Sequence, residues 1–289
     1  MSPSNAARSG PRPLADRPPT GDARLDALAR VLAIVDRLRA PDGCPWDLEQ
    51  TIASLAPSLV EEAHEAVEGI DRKDDRSASE ELGDLFMVIA LIAKVAEQEG
   101  RFDLATVGNT VAEKLVRRHP HVFGETVAGS SEQVLANWET IKESERKAER
   151  KDASALAGVP VALPALQRAS RVAAKAIAAG FRWEDEAGAL AKLREEMGEL
   201  EQAWDERARA PGPEREARLE AELGDVLLAG AFLGHYLGFD PEKAARASLR
   251  RFETRFRAME GEVGERLRTA PLPELLAAWG RAKSASAER

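Results

Sequence analysis

The chain has 289 residues, enough for two ordinary domains, and is 44% apolar and 31% charged. Its formal charge of −9, from 50 acidic against 41 basic side chains, lacks the basic field that drives binding to nucleic-acid polymers, while small phosphorylated ligands need only a local basic pocket or a metal. A single cysteine, Cys44, excludes an intrachain disulfide and points to a reducing, cytoplasmic setting. In chain order, residues 1–22 carry Pro, Ser, Arg and Gly without an apolar stretch and read as a disordered tail. Helical spacing starts at about Arg24, through Leu25, Leu28, Val31, Leu32, Val35 and Leu38, and breaks at Ala40 to Trp46. The next predicted helix opens at Pro57 and Ser58 and runs to Ile70. A polar loop over Asp71 to Ser79 leads to a second, Glu80 to Gln98, closed by Gly100. A third covers Leu104 to Arg118, and a charged fourth covers Ser131 to Arg150. The longest apolar run, Leu85 to Ala93, is far short of a membrane span and ends at Lys94.

After a small, Pro-containing stretch (Ala153 to Pro164) the pattern starts again. A helix over Ala165 to Ala179 leads to Gly180-Phe-Arg-Trp183, which echoes Gly43-Cys-Pro-Trp46. The helix Leu190 to Arg207 contains Glu196-Met-Gly-Glu199, echoing Glu62-Ala-His-Glu65. Past Pro211 to Pro213, Glu222-Leu-Gly-Asp225 matches Glu81-Leu-Gly-Asp84. Arg251 and Arg255 match Lys114 and Arg118, and Trp279 with Lys283 matches Trp138 with Lys142. The order of matched features makes the chain a tandem repeat of a four-to-five-helix all-α unit, with domains over 23–152 and 153–289.

Each copy carries two Glu-x-x-(Glu/Asp) pairs on consecutive helices, and residues three apart share a helix face. If those helices pack antiparallel, Glu62, Glu65, Glu81 and Asp84 converge, as do Glu196, Glu199, Glu222 and Asp225. Four such charges repel unless a cation compensates them. An all-oxygen set suits a hard ion, Mg²⁺ before Mn²⁺. One such pair alone is an ordinary solvated face. What raises its weight is duplication with the spacing intact, beside a helix whose apolar residues (Leu82, Leu85, Phe86, Val88, Ile89, Leu91, Ile92) predict burial all round. Gly83 and Gly224 between the carboxylates read as points of close approach. Lys114, Arg117 and Arg118, and Arg250, Arg251 and Arg255, are candidates for phosphate contact. Trp138 and Trp279 can stack on a base, with Lys142 and Lys283 one turn away. Trp46 and Trp183 read as packing anchors, and Trp204, which has no repeat counterpart, as packing. The histidines His64, His119, His121 and His235 do not recur between copies, so none is assigned to catalysis.

Taken together, Gly43-Cys-Pro-Trp-Asp47, Glu61-Glu62-Ala-His-Glu65, Glu81-Leu-Gly-Asp84, Arg117-Arg-His-Pro-His-Val-Phe123 and Trp138 resemble the MazG-type nucleoside triphosphate pyrophosphohydrolases, over about Arg24 to Lys283. The resemblance implies an all-α homodimer that converts an NTP to the monophosphate and pyrophosphate, in nucleotide-pool house-cleaning or a stress response. It implies that the C-terminal copy is the catalytic one, with Mg²⁺ on Glu196, Glu199, Glu222 and Asp225, phosphates on Arg251 and Arg255, and the nucleotide on Trp279 and Lys283. Glu62, Glu65, Glu81 and Asp84 form a second copy of the metal set, with Lys114, Arg118, Trp138 and Lys142 as its substrate residues. Arg218 stands just before the second carboxylate pair where relatives often carry lysine, and Arg251 likewise replaces a lysine; a planar fork replaces a point charge there. Either Glu195 or Glu196 accepts the proton of the attacking water. Two other readings stay open: a non-catalytic nucleotide-sensing module, and hydrolysis of an alarmone such as ppGpp.

Overall fold

The computed structural model describes residues 20–148, 152 and 154–287; the predicted tail up to residue 19 lies outside them. Among the described residues there are helices and no strand. Contacts divide the chain into two units, Met1–Ser144 and Glu145–Arg289. The boundary read from sequence at 152/153 falls on a stretch of which 149–151 and 153 lie outside the described residues. No described helix is long and apolar enough to cross a membrane.

In unit 1, α1 (Ala23–Leu38) begins behind Asp22, whose side chain accepts from the Arg24 N–H. A short α2 (Pro45–Glu49) follows. Helix α3 (Ile52–Arg72) starts five residues ahead of Pro57, because Thr51 and Ser54 form a reciprocal capping box; Pro57 therefore lies in the second turn rather than at the start. The polar loop expected over Asp71 to Ser79 shrinks to Lys73 and Asp74. Lys73 takes the left-handed conformation (φ 57°), and Asp74 accepts from the Ser77 N–H to start α4 (Asp75–Gln98). Then come α5 (Leu104–Arg118), α6 (Pro120–Phe123) and α7 (Ser131–Ala148). The two-residue connection makes α3 and α4 an antiparallel hairpin, the most extensive contact of the unit, and α1 closes over α4. Their core is Val35, Leu55, Ala90, Leu91 and Val95, flanked by Leu32, Ile52, Met87 and Ile92. Buried Arg39 ties this end together, donating from Nε and Nη2 to Gln98 Oε1 (3.0 and 2.6 Å) and from Nη1 to the Gln50 carbonyl (3.1 Å).

Unit 2 repeats the plan with α8 (Ala165–Ala178), α9 (Glu186–Arg209), α10 (Pro213–Tyr236), α11 (Pro241–Val263), a 3₁₀ turn at Gly264–Arg268 and α12 (Leu272–Ala287). Helix α9 starts four residues earlier than its apolar pattern suggests, since Asp185 caps it through the Gly188 N–H. The α9–α10 hairpin is again the dominant pair, with α8 laid on α10 and α12 on α11. Small residues (Ala173, Ala189, Ala203, Ala231) let these helices approach closely. Trp183 is the anchor the sequence suggests: it meets Phe232 and Tyr236 edge-on (5.6 and 6.1 Å), and its carbonyl accepts from the Tyr236 hydroxyl. Its counterpart Trp46 is 63% exposed and Trp204 is 59% exposed, so neither packs within its own unit.

Candidate active site

In unit 1 the short connection between α3 and α4 brings the two carboxylate pairs face to face. Gly69 permits the approach, because a Cβ there would stand 2.7 Å from the Ala78 nitrogen. One carboxylate oxygen from each of Glu62, Glu65 and Glu81 lies within 4.8 Å of the others. Asp84, one turn along α4, is outside that set, yet its charge acts on both Glu62 and Glu81. Partial burial, then repulsion from Asp84, Glu65, Glu81 and Glu61, pushes the Glu62 carboxyl above the usual glutamate range. Burial, then Glu65, Asp84 and Glu80, does the same to Glu81. Such a group of mutually repelling oxygens, with no nitrogen or sulfur donor among them, fits a hard divalent cation.

In unit 2 the three oxygens gathered within 4.8 Å belong to Glu196, Glu222 and Asp225. The fourth residue, Glu199, hydrogen-bonds Glu196, and that shared contact, followed by burial, raises its carboxyl above the usual range. Each unit therefore brings three of its four predicted carboxylates together, leaving out Asp84 in one and Glu199 in the other. The units differ more in what stands beside the carboxylates. Lys192 pairs with Glu195 at 2.7 Å and with Glu196 at 2.8 Å. Arg218 bridges Glu206 and Glu222, reaching the latter at 3.5 Å. Both cations sit four residues ahead of a clustered glutamate, a spacing that marks them as neighbours on the helix face. The same positions in unit 1 are Ser58 and Ser77. Lys192 escaped the sequence reading, although its four-residue step to Glu196 was a usable signal. Glu195 lies outside the gathered oxygens and is exposed, whereas Glu196 is buried.

The predicted phosphate and base contacts lie further along each unit. Arg251 and Arg255 are one turn apart on α11; Arg251 is exposed, and Arg255 donates from Nε to Ser286 Oγ at 2.9 Å. Trp279 is half-buried against Phe252 at 5.1 Å and belongs to the cluster of Phe256, Met259, Val263 and Ala278, with exposed Lys283 one turn beyond. In unit 1, Lys114 and Arg118 are one turn apart on α5, and the Lys142 ammonium lies 4.4 Å over the Trp138 ring on α7. The expectation that α4 is buried all round fails at its N-terminal half. Leu82 is half exposed beside the carboxylates, as are Leu223 and Leu227 on α10, because nothing in the unit covers that face; burial is confined to the far half, from Val88 to Ala96.

Compared with known proteins, the sequence matches the MazG nucleotide pyrophosphohydrolase domain twice, over residues 50–123 and 185–259, and each match contains one full carboxylate set. The chain belongs to the MazG family. Among curated MazG relatives, the Thermotoga maritima "nucleoside triphosphate pyrophosphohydrolase/pyrophosphatase MazG" is 38% identical over 256 residues, covering 88% of this chain and 94% of that protein. The Escherichia coli K12 "nucleoside triphosphate pyrophosphohydrolase" is 40% identical over 243 residues, covering 84% and 90%. A Bacillus subtilis protein, YabN, is 38% identical over 254 residues that make up 50% of its own length. The second MazG match ends at Met259, before α12, and does not reach Trp279 and Lys283.

The raised carboxyls of the MazG domains have a consequence for stability. For an acid whose folded-state pKa exceeds its unfolded one, the contribution is present below the unfolded value and lost as pH rises through the folded value. Without metal, Glu62, Glu81 and Glu199 therefore oppose folding at neutral pH and cease to do so as they protonate. The difference in Tm between Mg²⁺ and EDTA is expected to be positive at pH 7.5 and to shrink as pH falls into the upper carboxylate range. Differential scanning calorimetry checks this; a difference of zero, or one independent of pH, contradicts it.

Proposed function

We propose that this chain hydrolyses nucleoside triphosphates, ribo- or deoxyribo-, to the monophosphate and pyrophosphate, and does so at unit 2. The observation that carries the reading is the gathering of carboxylates from two successive helices in each MazG domain. The names of the Thermotoga and Escherichia relatives, aligned over nearly their whole length, agree with it. Glu196, Glu199, Glu222 and Asp225 are the residues that would hold Mg²⁺, or Mn²⁺ in its place. Bound there, such an ion supplies charge to offset the phosphates and lowers the pKa of a coordinated water.

The chain's own residues divide the remaining work. Glu195, held by Lys192 and outside the gathered oxygens, is the base: its carboxylate takes a proton from water as the water oxygen bonds to the α-phosphorus. The bond from that phosphorus to the bridging oxygen breaks, and pyrophosphate leaves. Arg218, Arg251 and Arg255 bring positive charge to the departing group. Trp279, braced by Phe252, offers a fixed aromatic ring to the base, and Lys283 a charge one turn away. Met197, Leu223, Leu227 and Leu228, exposed on α9 and α10, favour a homodimer that covers this apolar face. The single cysteine and the nucleotide substrate suit a cytoplasmic enzyme of nucleotide-pool house-cleaning or stress response.

The test is a panel of NTPs and dNTPs, with ppGpp included, incubated with the full chain and Mg²⁺ and followed by separation of products. Monophosphate and pyrophosphate in equal amounts, abolished by EDTA and restored by Mn²⁺, are expected. Orthophosphate as the first product, or no turnover, contradicts the proposal, and tight NTP binding without release of pyrophosphate favours a sensing module instead.

A further inference from the structure

Arg218 is tied to a carboxylate that lies outside the gathered set. Its Nη1 donates to Glu206 Oε2 at 2.5 Å, and its Nε reaches Glu222 Oε1 at 3.5 Å. Glu206 stands on α9 and Glu222 on α10, so one guanidinium spans the hairpin. The two contacts are unequal. The first is a close, charge-assisted contact, and the second is long for an N–H···O hydrogen bond. Glu206 is in turn fixed from its own helix, where Gln202 Nε2 donates to its Oε1 at 2.9 Å. That hydrogen bond, ahead of the charge of Arg218, holds the Glu206 carboxyl below the usual glutamate range, so it is ionised at neutral pH.

Glu206 does not belong to the gathered oxygens, which are those of Glu196, Glu222 and Asp225. It stands ten residues beyond Glu196 on α9, about 15 Å along the axis at 1.5 Å per residue. Unit 1 has no such bridge. At the matching positions Arg72 replaces Glu206 and pairs along its own helix with Glu68, the counterpart of Gln202, while Ser77 replaces Arg218. The inequality of the two contacts has a chemical consequence. A guanidinium closed on Glu222 with both prongs of its fork would offset the charge of that carboxylate and occupy the oxygens a cation would use. The contact with Glu206 draws Arg218 away from that arrangement. Without a charge at position 206, Glu222 is the carboxylate left to it.

We propose that Glu206 is a positioning residue that anchors Arg218 on α9 and thereby keeps Glu222 available to the divalent cation of unit 2. The proposal rests on the reading of the unit 2 carboxylates as a metal site, and the test separates the two. Manganese binding is followed by electron paramagnetic resonance of the free ion, in the full chain carrying Glu62→Gln/Glu81→Gln, which leaves unit 2 with the only unaltered carboxylate set. Saturable binding is expected in this parent. Adding Glu206→Gln is expected to raise the Mn²⁺ Kd about fivefold, the size of one exposed ion pair, with the helical circular dichroism unchanged. Glu206→Asp, which keeps the charge, is expected to stay close to the parent.

The deciding comparison is made in Arg218→Ala. Without the guanidinium there is nothing for Glu206 to hold, so Glu206→Gln is expected to leave the Kd unchanged in that background. An equal loss there would mean that the charge of Glu206 acts on the cation directly, and it overturns the proposal, as does an unchanged Kd when Arg218 is present. Absence of saturable Mn²⁺ binding in the parent overturns the metal reading and this role together. In the hydrolytic assay of the otherwise unaltered chain, Glu206→Gln is expected to need more Mg²⁺ for its half-maximal rate and to reach the same rate at saturation. A lower rate at saturating Mg²⁺ with an unchanged requirement would place Glu206 in the chemistry itself and overturn the positioning role.

Discussion

Pyrophosphate release is expected to fall about 10³-fold in Glu196→Gln/Glu222→Gln, the equivalent of about 4 kcal/mol of lost transition-state stabilisation. Glutamine keeps the volume and hydrogen-bonding reach of each side chain and deletes only its charge. The two chosen glutamates come from the two helices of the hairpin and lie in the gathered set of unit 2, one buried and the other half-buried. Removing them takes half the negative charge from the place where a cation would be held. It also leaves Lys192 and Arg218 with one carboxylate partner each, Glu195 and Glu206. The matching Glu62→Gln/Glu81→Gln change in unit 1 is expected to reduce turnover less than about threefold, within the range of indirect effects between separate sites. The ground for the contrast is the company each set keeps. Unit 2 has cations on the same helix faces, able to turn from carboxylate to phosphate, while unit 1 has Ser58 and Ser77 in their place. Initial rates read by coupled pyrophosphate detection decide it, and equal losses in the two double variants would mean that both units turn over substrate.

The second large effect is structural. Gly69→Ala is expected to destabilise unit 1 by about 2 kcal/mol, although alanine is intrinsically the better helix former by about 1 kcal/mol. A Cβ at this position meets backbone, the nitrogen of Ala78 at 2.7 Å and its Cα at 2.9 Å, so no side chain can turn aside to make room. The hairpin must open where α4 begins, and the pair Glu62 and Glu65 then moves away from Glu81. The Mg²⁺-dependent rise in Tm should shrink along with the stability. Gly108→Ala is the control: it sits inside α5 with nothing within 4 Å of a Cβ, and should gain about 1 kcal/mol. Urea unfolding of the three proteins checks both signs. A Gly69→Ala variant as stable as its parent would contradict this close backbone approach of α3 and α4.

Much of this was legible in the sequence, for a definable reason. Apolar spacing and its breaks place α1, α5 and α8 to within a residue or so at each end, and duplication exposes the carboxylate sets. What escaped was set by contacts that spacing does not encode. Close approach was expected at Gly83, where a Cβ meets nothing, and it occurs at Gly69, which has no motif to announce it. Proline is a familiar first-turn residue and points to a start of α3 at Pro57, but the Thr51–Ser54 box acts earlier. Polar composition over Asp71 to Ser79 reads as loop, yet Asp71 and Arg72 end α3 and Asp75 to Ser79 begin α4 behind the Asp74 cap. The apolar residues of α4 predict burial all round, but apolar character states a preference for cover and does not supply it, and Leu82 remains exposed. Trp204, read as packing because it has no repeat counterpart, stands out in solvent beside Arg207, 5.6 Å from its ring.

The two-residue link between α3 and α4 also bears on how the chain reaches its fold. Each carboxylate set is carried on one hairpin of contiguous sequence, Ile52 to Gln98 in one unit and Glu186 to Tyr236 in the other. Contacts of such short sequence separation close quickly and belong to the part of a helical domain that organises first. The acidic side chains are therefore pressed together before the outer helices have docked, and their repulsion bears on the barrier to folding as well as on the finished structure. A cation or a proton that relieves it acts on a hairpin still waiting for its neighbours, so the chemistry that readies the site for a metal also sets part of the pace at which the protein forms.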